Sequence, residues 1–131
     1  MKDQDVRYIT RRTYCSPQLD FFGMSASLLC ALHCAAMPLV LGLGLSGSLA
    51  LLHHPLVEWS LIGFSLSLAS WSLIRSHILV HGRWEALRIL LLGAALLVAG
   101  RFSSEILEAP TAVAGGLAVA TAHWLNLRLV R

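Results

Sequence analysis

Four long apolar blocks, joined by short polar connectors, leave this chain very few folds to choose from. A helix of about 20 mostly apolar residues crosses the hydrocarbon core of a bilayer. Blocks of that length run from Phe21 to Leu43, from Leu56 to Ile78, from Trp84 to Phe102, and between Glu108 and Arg128 (109–127). The third is the weakest, since its charge-free part lies only between Arg88 and Arg101. With 56% hydrophobic and 13% charged residues, a soluble fold of 131 residues would leave too much apolar surface in water. The expected fold is all-α: a polytopic membrane protein built as a four-transmembrane-helix bundle.

Residues 1–20 are polar and lack the apolar core and cleavage site of a secretory signal, so they are expected to remain as a tail. Orientation follows from the basic residues. Lys2, Arg7, Arg11 and Arg12 precede the first span. Arg75, Arg83 and Arg88 lie around the second connector, and Arg128 and Arg131 follow the last span. Arg101 stands alone on the other side. The positive-inside rule places the side richer in basic residues, and with it both termini, in the cytosol. Trp59, Trp84 and Trp124 are candidate interfacial anchors, while Trp71 lies deep for that role. Glu58, Glu105 and Glu108 fall on the outer side. No basic stripe interleaved with aromatics points to nucleic acid, so the expected partners are lipid and a small ligand.

What ligand is expected depends on "LLCALHCAAMPLV", residues 28–40. A helix turns about 100° per residue, which puts Cys34, Met37 and His33 at about +40°, −20° and −60° from Cys30. All four share one side of the first span. Thiol, thioether and imidazole suit soft or borderline cations such as mercury, copper(I) and zinc; magnesium and calcium want oxygen. Pro38 removes the hydrogen bond to the carbonyl of Cys34 and so frees an acceptor beside the set. An ionisable group inside a span is costly and usually functional, which sets His33 apart from ordinary packing. The serines at 65, 67, 70 and 72 and the segment "AGGLAVATA" in the fourth span are read as helix packing. Pro110 suits the first turn of the fourth helix.

Near the end of that span, His123 and Asn126 are three apart and share a face. His123 lies roughly 8 Å of helical rise from the inner end, and Cys30 roughly 15 Å. These depths overlap within a turn or two, so His123 is a candidate to complete the cysteine cluster, with Asn126 or Asp20 behind it. Weaker candidates are His53 and His54 in the first connector, His77 and His81 four apart in the second, and Cys15 in the tail, read as a plain reduced thiol.

"GMSASLLCALHCAAMPLV", three further spans and a terminal "HWLNLRL" resemble the MerC family of small inner-membrane proteins, from about Phe21 to Arg128. The most specific parts are Cys30, His33 and Cys34, and His123, Asn126 and Arg128. The resemblance implies four helices and carriage of mercuric ion into the cytosol by the first-span cysteines; with no hydrolytic triad, phosphate loop or paired carboxylates in the spans, no catalysis and no permanently bound cofactor are expected. Cys30 and Cys34 are then the leading metal ligands, with His33, His123 and Met37 behind them. The chain departs from the pattern at Cys34–Met37, which reads Cys-Ala-Ala-Met where similar members have a second cysteine. Its tail "RLVR" carries no cysteine either, and the histidines suit zinc or copper as cargo too. The competing expectations are a membrane thiol oxidoreductase and a structural subunit of a larger complex.

Overall fold

The computed structural model describes residues 17–44, 47 and 54–130. Among them are four α-helices and no strand: α1 (Pro17–Gly42), α2 (Pro55–Ser76), α3 (Glu85–Arg101) and α4 (Glu105–Val130). Gln18–Val40 and Pro55–Val80 are each long and apolar enough to cross a membrane. With 17 residues, α3 is shorter than the other helices. α4 is long enough, with 26, but its glycines, threonines, His123 and Asn126 lower its hydropathy.

The helix ends follow local chemistry. Pro17 and Pro55 open α1 and α2, where a missing N–H is harmless. His54 caps α2, its Nδ1 accepting from the Leu56 N–H at 3.2 Å. At its other end α2 passes into a π-helical turn, His77–His81, closed by Gly82 at φ +60° with its N–H on the His77 carbonyl. α4 starts earlier than the proline suggests. The Ser104 carbonyl takes the Leu107 and Glu108 N–H groups, so Pro110 lies inside the helix. Thr111 then donates its hydroxyl to the carbonyls of Leu107 and Glu108.

Polar contacts show that neighbouring helices run antiparallel. Asp20, near the start of α1, meets Ser72 and Asn126, near the ends of α2 and α4. Glu58, near the start of α2, pairs with Arg101, the last residue of α3, which also pairs with Glu108 near the start of α4. One end of the bundle thus holds the start of α1 and the end of α4. We call it the termini end.

α4 is the shared partner, packed closely on both α1 and α3. A Cβ at Gly115 would stand 2.8 Å from the backbone nitrogen of Leu97, and one at Gly116 would stand 2.9 Å from the Ala31 Cβ. Such approaches favour association of helices where no hydrophobic effect drives them. α2 is attached differently: Ile62, Ala69 and Leu73 join the apolar core, and hydroxyls and charges supplement them. The Ser27 and Ser65 hydroxyls join α1 to α2 at 2.9 Å.

Polarity is distributed inside out. Asp20, Ser27, Ser65, Ser72, Ser76, His123 and Asn126 are buried, while Phe22, Leu29, Leu32, Leu39, Phe64, Leu91 and Leu92 are exposed on the helix flanks. In water that surface would be unfavourable at about 25 cal/mol per Å² of apolar area; facing hydrocarbon it is not. The chain is a membrane protein.

Candidate metal site

α1 presents one inner face whose members recur every three or four residues: Asp20, Gly23, Ser27, Cys30, Cys34 and Met37. The upper part of this face borders a cavity of about 330 Å³. Cys30, His33, Cys34, Met37 and Pro38 line it from α1, and Glu58, Leu61 and Ile62 from α2. Arg101 closes it from α3, and Glu105, Glu108, Ala109 and Ala112 from α4. The cavity lies toward the end of the bundle opposite the termini end.

Cys30 forms part of its floor and is buried; Cys34 is half-buried. Both are free thiols. They stand one helical turn apart on the same side of α1, with His33 on the cavity lining beside them. α1 stays helical through both. Residues four apart on a helix hold their Cβ atoms about 5–6 Å apart, beyond the roughly 3.5–4.5 Å that a disulfide accepts. A dithiol–disulfide cycle would have to unwind this turn. Among the described residues no three His, Cys, Asp or Glu side chains converge as a preformed metal cluster.

Three carboxylates and one guanidinium line the cavity, a formal balance of −2. Arg101 spans it, with Nη2 on Glu58 Oε2 at 2.5 Å and Nη1 on Glu108. Its Nε is buried and has no partner among the described residues. The Coulomb field of net negative charge between low-dielectric walls raises the local concentration of cations.

His123 is elsewhere. Its ring lies over the backbone of Gly23, where a Cβ would meet Nε2 at 2.3 Å. Gly23 is seven residues before Cys30, about 10 Å lower on α1. His123 therefore belongs to a second polar group centred on Asp20, with Nδ1 3.0 Å from Asp20 Oδ1. Asn126 donates to Asp20 Oδ2 at 2.7 Å and to Ser76 at 3.0 Å, and Ser72 donates to Asp20 Oδ1 at 2.6 Å. Asp20, which in sequence ends a polar tail, is a buried residue of α1. Ser72, read from sequence as packing, and Ser76, which the sequence reading did not single out, hold this group to α2. The signal was present: 72 and 76 are four apart, 123 and 126 three apart, and each pair shares a helical face.

Of the weaker candidates, His54 is the α2 cap. His77 places Nδ1 3.0 Å from the Arg83 carbonyl and lies against Trp84 with ring centres 4.3 Å apart. The π-turn also changes the pitch between His77 and His81, so four-residue spacing no longer means one face. The side chain of His81, together with Cys15 and His53, lies outside the described residues.

The model of one protein family, described as MerC mercury resistance protein, matches residues 20–128. No curated protein and no solved structure matches the chain.

Proposed function

As the chain belongs to the MerC family, we propose that it carries a soft metal ion, mercuric ion first among them, across the inner membrane into the cytosol. In this reading all four helices span the bilayer and both termini are cytosolic. The nine basic residues around the termini and the second connector support that orientation. The cavity then opens outward, and its acidic lining collects cations from the outer side.

The observation that carries the proposal is the pair of free thiols, Cys30 and Cys34, one helical turn apart on the lining of that cavity. A bare dication in hydrocarbon is penalised by tens of kcal/mol. Two thiolates make it a formally neutral unit, provided their protons are released on binding. Soft sulfur ligands select mercury or copper(I) over hard ions. A structural zinc ion prefers four ligands in a tetrahedron, and among the described residues no three-residue cluster is preformed. The donor set therefore favours an ion content with two sulfurs, with His33 and Met37 beside them as auxiliary donors. Zinc stands behind mercury and copper(I) on this ground.

The test is uptake of mercury, copper, zinc and cadmium by cells carrying the wild type or the Cys30→Ser/Cys34→Ser double variant. Mercury uptake is expected to fall at least as far as the roughly 10–100-fold that even outer partners of metal ligands are worth. Equal uptake of every metal by the two proteins would end the proposal. Met37→Leu keeps the volume and removes the thioether, and a partial loss is expected if Met37 assists.

A further inference from the structure

We propose that the group around Asp20 is an inner latch, which closes the termini end of the bundle and must open for an ion held at Cys30 and Cys34 to leave by that side. The inference rests on the carrier reading above. It assigns a part of that cycle to residues outside the cavity.

The two ends of the bundle differ. From one, a cavity reaches down to the thiols. Toward the other, the ten residues from Asp20 to Cys30 cover about 15 Å of packed helix. That stretch is closed at three levels. Ser27 meets Ser65 just below Cys30, the His123 ring fills the space over Gly23, and Asp20 ties three helices at the bottom. In this arrangement the thiols communicate with one side only. Carriage requires a second arrangement in which they communicate with the other, as in carriers that rock around a site at mid-depth.

Asp20 is built to hold and to let go. Its carboxylate accepts from Ser72 of α2 and from His123 and Asn126 of α4, and Asn126 continues to Ser76 of α2. The polar contacts that join α2 to this end, beside the apolar packing of Ala69 and Leu73, are hydrogen bonds to or through Asp20 and Asn126. Such bonds are strong while the site is dry. Once water enters, the same groups are satisfied by water, so opening exchanges partners and does not strand them. An apolar seal would have no such replacement. Higher up, at Gly115 and Gly116, the α4 seams with α3 and α1 are backbone-close glycine contacts that offer no comparable release. α2 is thus the strap: hydroxyls and a carboxylate hold it at the termini end, and Arg101–Glu58 holds it at the cavity end.

Sided thiol labelling tests this without any metal. The full-length protein with Cys15→Ser is placed in membrane vesicles of each orientation and treated with a small, cationic, membrane-impermeant methanethiosulfonate. Modification of Cys34 is expected to be fast from the cavity side and slow from the termini side. Asp20→Asn, and separately Ser72→Ala, are expected to raise the termini-side rate about tenfold, the weight of one hydrogen bond in an open–closed equilibrium. The cavity-side rate reports that each variant is folded. If Asp20→Asn loses that rate, the milder Ser72→Ala decides alone. An unchanged termini-side rate in a variant that keeps its cavity-side rate overturns the latch. So does a wild type that labels equally from both sides. Failure of the carrier reading would show elsewhere, as metal uptake that survives Cys30→Ser/Cys34→Ser.

Discussion

Gly23 and His123 occupy one volume between them. A methyl group on residue 23 would overlap the imidazole at 2.2 Å, so Gly23→Ala must displace the ring or part α1 from α4. Overpacking of this kind destabilises by about 1–3 kcal/mol. Gly63 lies on α2 with nothing within 4 Å of a built Cβ. There Gly63→Ala is expected to be neutral or to stabilise by up to about 1 kcal/mol, through helix propensity alone. Thermal unfolding of both variants in detergent checks the contrast; equal melting temperatures would refute the close fit. At this scale the sequence was partly readable. Cys30, His33, Cys34 and Met37 were placed on one side by angle alone, and they line one cavity. The remoteness of His123 was not readable, because counting residues from the membrane edge ignores how two helices slide along each other. That offset is set by Gly23 against His123 and by Gly116 against Ala31, contacts visible only once the helices are paired.

Arg101 links three helices although it is the last residue of the shortest. Its partners Glu58 and Glu108 come from α2 and α4, and all three side chains are at least half-buried. Breaking a fully buried pair by removing one partner is worth about 3–5 kcal/mol. Arg101→Gln is expected to be destabilising by somewhat less, since part of this group is solvated. A double-mutant cycle of Arg101→Gln with Glu58→Gln should recover part of the loss as a coupling of about 1–3 kcal/mol. Additive effects would mean the pair contributes little. The existence of α1 and α2 was plain from their length and apolarity. The first turn of α4 was less so: Pro110 marks helix starts in general, but here the Ser104 carbonyl begins the helix five residues earlier. The π-turn after α2 has no marker in sequence apart from Gly82, which must take φ +60° to end it.

For the molecule as a whole, the inside-out placement of Asp20, His123 and Asn126 beneath exposed Phe, Leu and Trp side chains matches a chain dissolved in lipid. Overall composition already pointed there, because no aqueous core could have absorbed so many apolar residues. Which end carries the cavity could not be read from composition. It depends on Glu58, Arg101, Glu105 and Glu108 meeting across three helices, and in sequence they looked like scattered outer charges. If the proposed orientation holds, a reporter active only in the cytosol will be active when fused after Arg131 and silent when inserted between Ser103 and Ser104. The reverse pattern would put the cavity on the cytosolic side and turn the carrier around.

Gly115 and Gly116 are neighbours in sequence, yet one touches α3 and the other α1. Adjacent positions on a helix point about 100° apart. Two consecutive residues therefore fix the angle at which the flanking helices leave α4, much as a corner joint fixes two walls. The remaining quarter is where α2 stands and where the hollow opens. Adding a single alanine between these glycines would swing everything after it by the same angle, turning Asn126 away from Asp20 while Gly115 stays against Leu97. The same insertion near either end of α4 would turn only the few residues beyond it and leave this joint, and the floor plan it sets, in place.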